Sequence, residues 1–262
     1  MHHNIILIMP KRYFIQLSYK GKAYHGWQIQ ENALSVQQVL NDKLTMLLRQ
    51  PINLVGAGRT DTGVHAEFYM AHFDLEYPIS DKDLILNGLN KMLPSDIAAY
   101  NIYLVNNELN ARFSAVSRTY EYRIVRKKSP FLTDFAWLYK LPLDVEKMNR
   151  AAEILYEYSD FTSFSKLGTQ VATNNCKIYT AKWVEFDHML IFKIKADRFL
   201  RNMVRAIVGT LLEVGRRKID ISEFRKIIEH KDRCKAGFSV PPHGLFLTEI
   251  VYPKDSIPGL NM

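Results

Sequence analysis

The chain has 262 residues, of which 47% are hydrophobic and 24% charged, so it can form one large globular domain or two compact halves. Its formal net charge of +8 favours a polyanionic partner, although such an excess also occurs in proteins that bind none. With only two cysteines and scattered histidines, the composition excludes a disulfide framework, argues against a metal site and fits a reducing cytoplasm.

In chain order, the first apolar run, 5–9, is too short for a signal sequence or a membrane span, so we expect neither. Alternating residues over 12–19 then predict a strand. A capping-box pattern at Ser35 predicts a helix that Pro51 ends. The elements predicted after it are strands over 52–57 and 68–75, a helix over 80–92 and a strand over 97–105. This β-α-β-β-α-β order is typical of the ferredoxin-like fold.

The second part of the chain repeats this scheme with additions. Its predicted elements are strands over 112–125 and 135–139, a helix over 144–158, a hairpin of 177–186 with 190–196, helices over 198–214 and 221–229, and a strand over 245–252. We therefore expect an α+β protein made of two βαββαβ-like halves, residues 1–108 and 109–262.

The connection between the strands predicted over 52–57 and 68–75 contains the run GRTDTGVHA, Gly58–Ala66. It places one carboxylate, Asp61, in a glycine-bounded loop, two residues after Arg59. Taken alone, this pattern is typical of an ordinary turn. A dinucleotide-binding loop is excluded, because the third glycine of that motif would fall on Asp61 and no helix pattern follows.

A carboxylate in such a loop can act as a nucleophile or as a base. A glycosidase mechanism is excluded because it needs a second acid nearby. An ionised carboxylate beside a polyanion needs a local cation, and Arg205 is a candidate. On a helix over 198–214, Arg205 would share one face with Arg198 and Arg201, either as an RNA-facing stripe or as a solvated basic face.

Tyr120 and Tyr122 lie on one face of the strand predicted over 112–125, because side chains alternate along a strand. Two such rings usually belong to a core. At the edge of a cleft, however, a tyrosine ring can stack on a base that has been extruded from its helix.

The run Gly58–Ala66 resembles the signature of the tRNA pseudouridine synthase A family. Seven matching positions make this a specific resemblance, and it covers most of the chain. The other similar segments are Tyr24–Gln30, Ser35–Gln37, Ala111–Ala115, Arg118–Tyr120, Asp160–Phe164 and Asn202–Arg205.

The resemblance implies two ferredoxin-like halves that form an extended, mostly antiparallel sheet with a central catalytic cleft. It implies a homodimer without a cofactor or a metal that isomerises uridine to pseudouridine at positions 38, 39 and 40 of the tRNA anticodon stem-loop. By match of motif, Asp61 would be the nucleophile, Tyr120 the ring against the target base and Arg205 the ionic partner of Asp61. Arg59 would help to displace the base from its stack.

The residues leave the route of the reaction open: Asp61 can add to C1′, add to C6 or remove a ribose proton. Two other functions also remain. One is a non-catalytic RNA-binding protein that keeps the fold, and the other is a synthase that acts on a different structured RNA.

Overall fold

A computed structural model describes residues 10–166, 168 and 172–260; the apolar run 5–9 lies outside them. The elements up to residue 108 are β1 (Lys11–Tyr19), α1 (Val36–Leu48), β2 (Val55–Gly56), β3 (His65–Leu75), α2 (Lys82–Met92) and β4 (Ile97–Val105). Those after it are β5 (Ser117–Val125), β6 (Trp137–Leu138), α3 (Val145–Glu153), β7 (Ile178–Phe186), β8 (Met189–Ala196), α4 (Met203–Gly215), α5 (Ile221–Glu229) and β9 (Leu245–Val251).

Within the described residues, nine strands form one sheet in the order β4-β1-β3-β9-β5-β8-β7, with β2 paired to β3 and β6 to β5. The first half has the order β4-β1-β3-β2 and the second half the order β9-β5-β8-β7. Both correspond to the order 4-1-3-2 of an antiparallel ferredoxin-like sheet, with β6 and α5 as additions to the second half. The predicted fold class, α+β with two ferredoxin-like halves, is confirmed.

The two halves meet where β3 pairs with β9. This pairing is parallel and covers two residue pairs, His65 with Phe246 and Ala66 with Leu247. Farther along the same edge, β3 pairs with β2, and Val55 lies opposite His72. The connection between β2 and β3, which carries Asp61, therefore leaves the sheet next to the junction of the halves.

Two apolar clusters pack against the sheet, one contributed mainly by each half. Each cluster contains residues from the other half. Val64 of the first half belongs to the cluster of the second, whereas Leu247 and Ile250 of the second half belong to the cluster of the first. Tyr120 packs against both clusters. The division of the chain at residues 108 and 109 remains a prediction, because the cores do not separate at that position.

The cap predicted at Ser35 is confirmed, and three other helices also begin at a capping side chain. Four N-cap side chains each accept a hydrogen bond from the backbone N–H three residues later: Ser35, Asp81, Asp144 and Asp220. Such caps satisfy donors that the first helical turn leaves free.

Several predicted elements are shorter in the structure. The strands expected over 112–125 and 135–139 are Ser117–Val125 and Trp137–Leu138, and the helix expected over 144–158 is Val145–Glu153. The strand expected over 52–57 is reduced to Val55–Gly56. The helix expected from residue 198 begins only at Met203, because its N-cap residue, Asn202, has a φ of 67° and lies in the left-handed region. Among the described residues, no helix combines the length and the apolar character that crossing a membrane requires.

Candidate active site at the junction of the halves

The loop that carries Asp61, residues 57–64, is held by hydrogen bonds to the sheet beneath it. The backbone N–H of Ala57 donates to the Met70 carbonyl at 2.9 Å. The Tyr69 hydroxyl donates to the Gly58 carbonyl at 2.5 Å, and the hydroxyls of Tyr19 and Thr60 lie 2.9 Å apart. Since β1 and β3 supply these tyrosines, the loop is fixed by the rigid part of the fold.

The tight turn at Asp61 depends on glycine. The Asp61 carbonyl accepts a hydrogen bond from Val64 N–H at 3.1 Å, and Gly63 between them has a φ of 78°. A side chain at Gly63 would be strained in that conformation. The segment around Gly26 packs directly on the loop, because a Cβ at Gly26 would lie 2.2 Å from the Thr60 carbonyl oxygen. The motif Tyr24–Gln30 thus supports the loop that holds Asp61.

The register of the sheet brings Tyr120 to the foot of this loop. Ala66, just after the loop, pairs with Leu247 of β9, and Leu247 pairs in turn with Tyr120 of β5. On the other side, Ala66 pairs with Tyr19. Paired residues point to the same face of a sheet, so Tyr19 and Tyr120 lie on the face that the Asp61 loop covers.

The Tyr120 ring is half-buried and meets the edge of Phe199, with ring centroids 5.1 Å apart and planes at 88°. Burial raises the pKa of the Tyr120 hydroxyl, the Arg118 guanidinium opposes this, and the nearby Asp61 carboxylate raises the pKa further. Tyr120 is therefore a neutral ring at neutral pH, suited to packing against a base rather than to acting as an anion.

Two arginines flank the Asp61 carboxylate. Arg205 Nη1 lies 3.3 Å from Oδ2, and Arg201 Nε lies 3.7 Å from Oδ1. The Arg205 side chain is 18% exposed and its Nε donates to the Val240 carbonyl at 2.7 Å, whereas the Arg201 side chain is 56% exposed. Arg205 is thus the fixed partner and Arg201 the solvated one.

The expectation that Arg198, Arg201 and Arg205 share one helical face is wrong. Only Arg205 lies on α4, because the left-handed Asn202 separates it from the other two. The Asn202 side chain donates to the Ser239 hydroxyl at 2.6 Å, which fixes this bend. Arg201 nevertheless reaches Asp61 from the segment before the helix, a contact that the helical pattern did not indicate.

Arg118 joins three segments around the site, a role that the sequence pattern does not show. Its guanidinium donates to the carbonyls of Ala57 at 2.9 Å and Asp197 at 2.8 Å, and to those of Arg112 at 2.5 Å and Ala115 at 3.1 Å. It therefore connects β5, which carries Tyr120, with two other segments: the Asp61 loop and the segment that precedes Arg201. Arg118 is half-buried, and these carbonyl hydrogen bonds replace the water that its charge loses there.

Arg59 differs from the other site residues. It is exposed, and it makes no hydrogen bond or ion pair with any residue that the structure describes. With Arg112 it lines a depression of about 230 Å³ beside the loop. The structure brings Asp61, Tyr120 and Arg205 together, and it leaves the Arg59 side chain available to a ligand.

Three further basic residues, at 216–218, are paired with acidic side chains. In the cluster 216–218, Arg217 pairs with Asp144 at 3.1 Å, while Arg216 and Lys218 both pair with Glu213, at 3.4 and 3.2 Å.

The described residues contain no group of three or more His, Cys, Asp or Glu side chains placed to hold a metal ion.

Comparison with known proteins identifies the class first. Residues 151–253 match the model of a family described as tRNA pseudouridine synthase. A protein of Parabacteroides distasonis named tRNA pseudouridine synthase A is 55% identical over 95% of this chain and 98% of its own length. Relatives with the same name in Bacteroides fragilis and Thermoanaerobacter sp. are 52% and 38% identical, over 94% and 91% of this chain and 98% of their own lengths.

A chain from a crystal structure of a Cbf5-Nop10-Gar1 complex aligns with a TM-score of 0.34 and 10% identity, over 89% of this chain and 57% of that one. A likeness this low bears on neither fold nor function. The identities above are decisive: the chain belongs to the tRNA pseudouridine synthase A family, and it is an isomerase.

Proposed function

We propose that this protein isomerises uridine to pseudouridine at positions 38, 39 and 40 of the tRNA anticodon stem-loop, with Asp61 as the nucleophile. The observation that carries the proposal is the placement of Asp61. Its carboxylate lies on a fixed loop, 3.3 Å from Arg205 and in front of the sheet face that carries Tyr120. The names of the relatives support tRNA as the substrate.

The reaction breaks the bond between C1′ and N1 and forms a bond between C1′ and C5. The proton on C5 is lost and N1 gains one, so that the product is an isomer of the substrate. Uracil leaves as an anion whose charge is delocalised over its ring. This explains why one carboxylate suffices, since the leaving group needs no strong acid and stays in the site to be attached again.

Each site residue has a distinct part in this scheme. Arg205 aims the Asp61 carboxylate and balances its charge next to the RNA. Tyr120 supplies a neutral ring against which the flipped uracil can pack and turn. Arg59 is exposed beside the loop and enters the stack as the base leaves it. As the nucleophile, Asp61 attacks C1′ or C6; removal of a ribose proton by the same carboxylate is the alternative route.

The test is the substitution Asp61→Asn, which keeps the shape of the side chain and removes its charge. We expect no pseudouridine in an unmodified tRNA transcript, measured by mapping the modified positions. We expect tRNA affinity equal to or tighter than that of the wild type, because a negative charge facing a polyanion has been removed.

A matched control is Asp187→Asn in the turn between β7 and β8. The Asp187 side chain is 78% exposed and its φ is 43°, a conformation that asparagine tolerates. This variant should keep wild-type activity. Continued turnover by Asp61→Asn would show that Asp61 is not the nucleophile.

The setting of this reaction is part of the proposal. We infer a cytoplasmic homodimer whose chains divide into residues 1–108, with the Asp61 loop, and 109–262, with Tyr120 and Arg205. A non-catalytic RNA-binding role is disfavoured by the intact pairing of Asp61 with Arg205. Mapping pseudouridine in total RNA from a deletion strain distinguishes tRNA from another structured RNA as the substrate.

A further inference from the structure

An exposed phenylalanine stands on the loop formed by residues 110–115, between the two halves. The Phe113 side chain is 79% exposed. The backbone around it is closed on itself: the Asn110 side chain accepts hydrogen bonds from the N–H groups of Arg112 and Phe113, at 2.9 and 3.1 Å. Ser114 N–H donates to the Asn110 carbonyl at 3.0 Å.

The same loop is anchored to the rest of the molecule. Ala111 N–H donates to His72 Nδ1 at 3.1 Å, and the Tyr252 hydroxyl donates to the Ala111 carbonyl at 2.6 Å. Arg118 donates to the carbonyls of Arg112 and Ala115. A large apolar side chain is therefore exposed on a segment held from several sides, and a partner that packs on it pays little entropy for ordering the loop.

The loop is also connected to the candidate active site. The guanidinium group of Arg118 that holds the Arg112 carbonyl also holds that of Ala57, at the start of the Asp61 loop. Arg112 and Arg59 line the same depression of about 230 Å³, and none of its described lining residues is acidic. The Arg112 guanidinium lies 5.2 Å from the centroid of the Phe113 ring.

A fixed aromatic ring with arginines beside it matches the chemistry of single-stranded nucleic acid, in which each base offers a face for stacking and each phosphate a negative charge. We propose that Phe113 stacks on an unpaired base of the RNA strand that enters beside the Asp61 loop, while Arg112 contacts a phosphate of that strand. This inference rests on the proposed function, since it assumes that the substrate is RNA.

The test compares the affinity of an unmodified tRNA transcript for three variants. Phe113→Ala should weaken binding about tenfold, within the range found for the loss of one stacked base. Phe113→Trp should bind within about twofold of the wild type, and tRNA should quench its additional tryptophan fluorescence. The matched control is Phe186→Ala on β7, whose side chain is 66% exposed; it should leave the affinity unchanged.

Three results would overturn the stacking role. The first is wild-type tRNA affinity in Phe113→Ala, and the second is weakened tRNA binding by Phe113→Trp. The third is a loss of oligomeric state in Phe113→Ala with unchanged tRNA affinity, which would assign the ring to a protein contact. Pseudouridine formation by the wild-type protein is measured in the same series. If stacking fails while the wild type still forms product, only the inference on Phe113 is lost; if the wild type forms none, the proposed function fails.

Discussion

At the scale of single residues, the two arginines at Asp61 have the same charge but differ in their burial and in the contacts that hold them. Arg205 is largely buried and makes two directed contacts, to Asp61 and to the Val240 carbonyl. Arg201 lies farther away and is more than half exposed, so water screens its attraction. The position of the Asp61 carboxylate should therefore depend on Arg205 and little on Arg201.

The substitution Arg205→Lys tests this difference. A lysine keeps the positive charge, but it has one nitrogen and cannot contact Asp61 and the Val240 carbonyl through separate nitrogens. The Asp61 carboxylate would therefore no longer be held in one position. We expect kcat to fall about 100-fold, as for a displacement of a reacting group by about 1 Å. Arg201→Lys should change kcat by less than about threefold. Steady-state kinetics with saturating tRNA measures both, and equal effects of the two variants would contradict the assignment.

At the scale of elements, the candidate site lies at a joint, the place where β5, the Asp61 loop and the segment before α4 meet. Arg118 makes this joint through carbonyl groups of three chain segments. The contribution of Arg118 is geometric, because a planar guanidinium spreads its donors over a wider area than an ammonium group does.

We therefore expect Arg118→Lys to lower the free energy of unfolding by about 1–3 kcal/mol, since carbonyls near the core would lose their donors. It should also lower kcat more than it raises KM for tRNA, because the loop and the arginines would lose their relative positions. Denaturant unfolding and steady-state kinetics measure the two effects.

The matched control is Arg126→Lys at the end of β5. Arg126 also donates to carbonyls, but both belong to the neighbouring segment, at Tyr139 and Leu141. This variant should cost less than about 0.5 kcal/mol, as is usual for surface substitutions. If Arg118→Lys behaved like Arg126→Lys, the joint would not depend on Arg118.

At the scale of the whole molecule, the two halves share strands and cores. The cluster of the first half takes four residues from the end of the chain: Leu247, Ile250, Tyr252 and Ile257. Full burial of one such side chain contributes about 1.5–3 kcal/mol. Their sum is comparable with the total stability of about 5–15 kcal/mol that is typical of a domain.

Fragment 1–108 should therefore not fold when it is made without the rest of the chain. We expect it to show no cooperative thermal transition by circular dichroism, whereas the whole chain should unfold in one step. A cooperative transition in fragment 1–108 at the temperature of the intact protein would show that its core is independent of β9.

Much of this architecture could be predicted because alternating and helical patterns are local. The order of strands and helices follows from them, and so does the turn at Asp187 and His188, where both residues adopt positive φ. The contact of Arg205 with Asp61 was expected from the resemblance. The contact of Arg201 was not, because it depends on a left-handed Asn202 that interrupts the helix expected over 198–214. Arg118 was missed for another reason: nothing in the sequence shows that its partners are backbone carbonyls from distant segments.

The duplicated topology allows the two repeats to be compared connection by connection. The connection between β2 and β3 and the connection between β7 and β8 occupy equivalent places in the two repeats. In the second repeat this connection is a tight turn of Asp187 and His188, which only reverses the chain. In the first repeat it is the loop 57–64, long enough to cover the sheet and to contact arginines of the second repeat. Two connections at the same place in one topology can therefore differ greatly in length, because the sheet constrains where a connection begins and ends and not how many residues it contains.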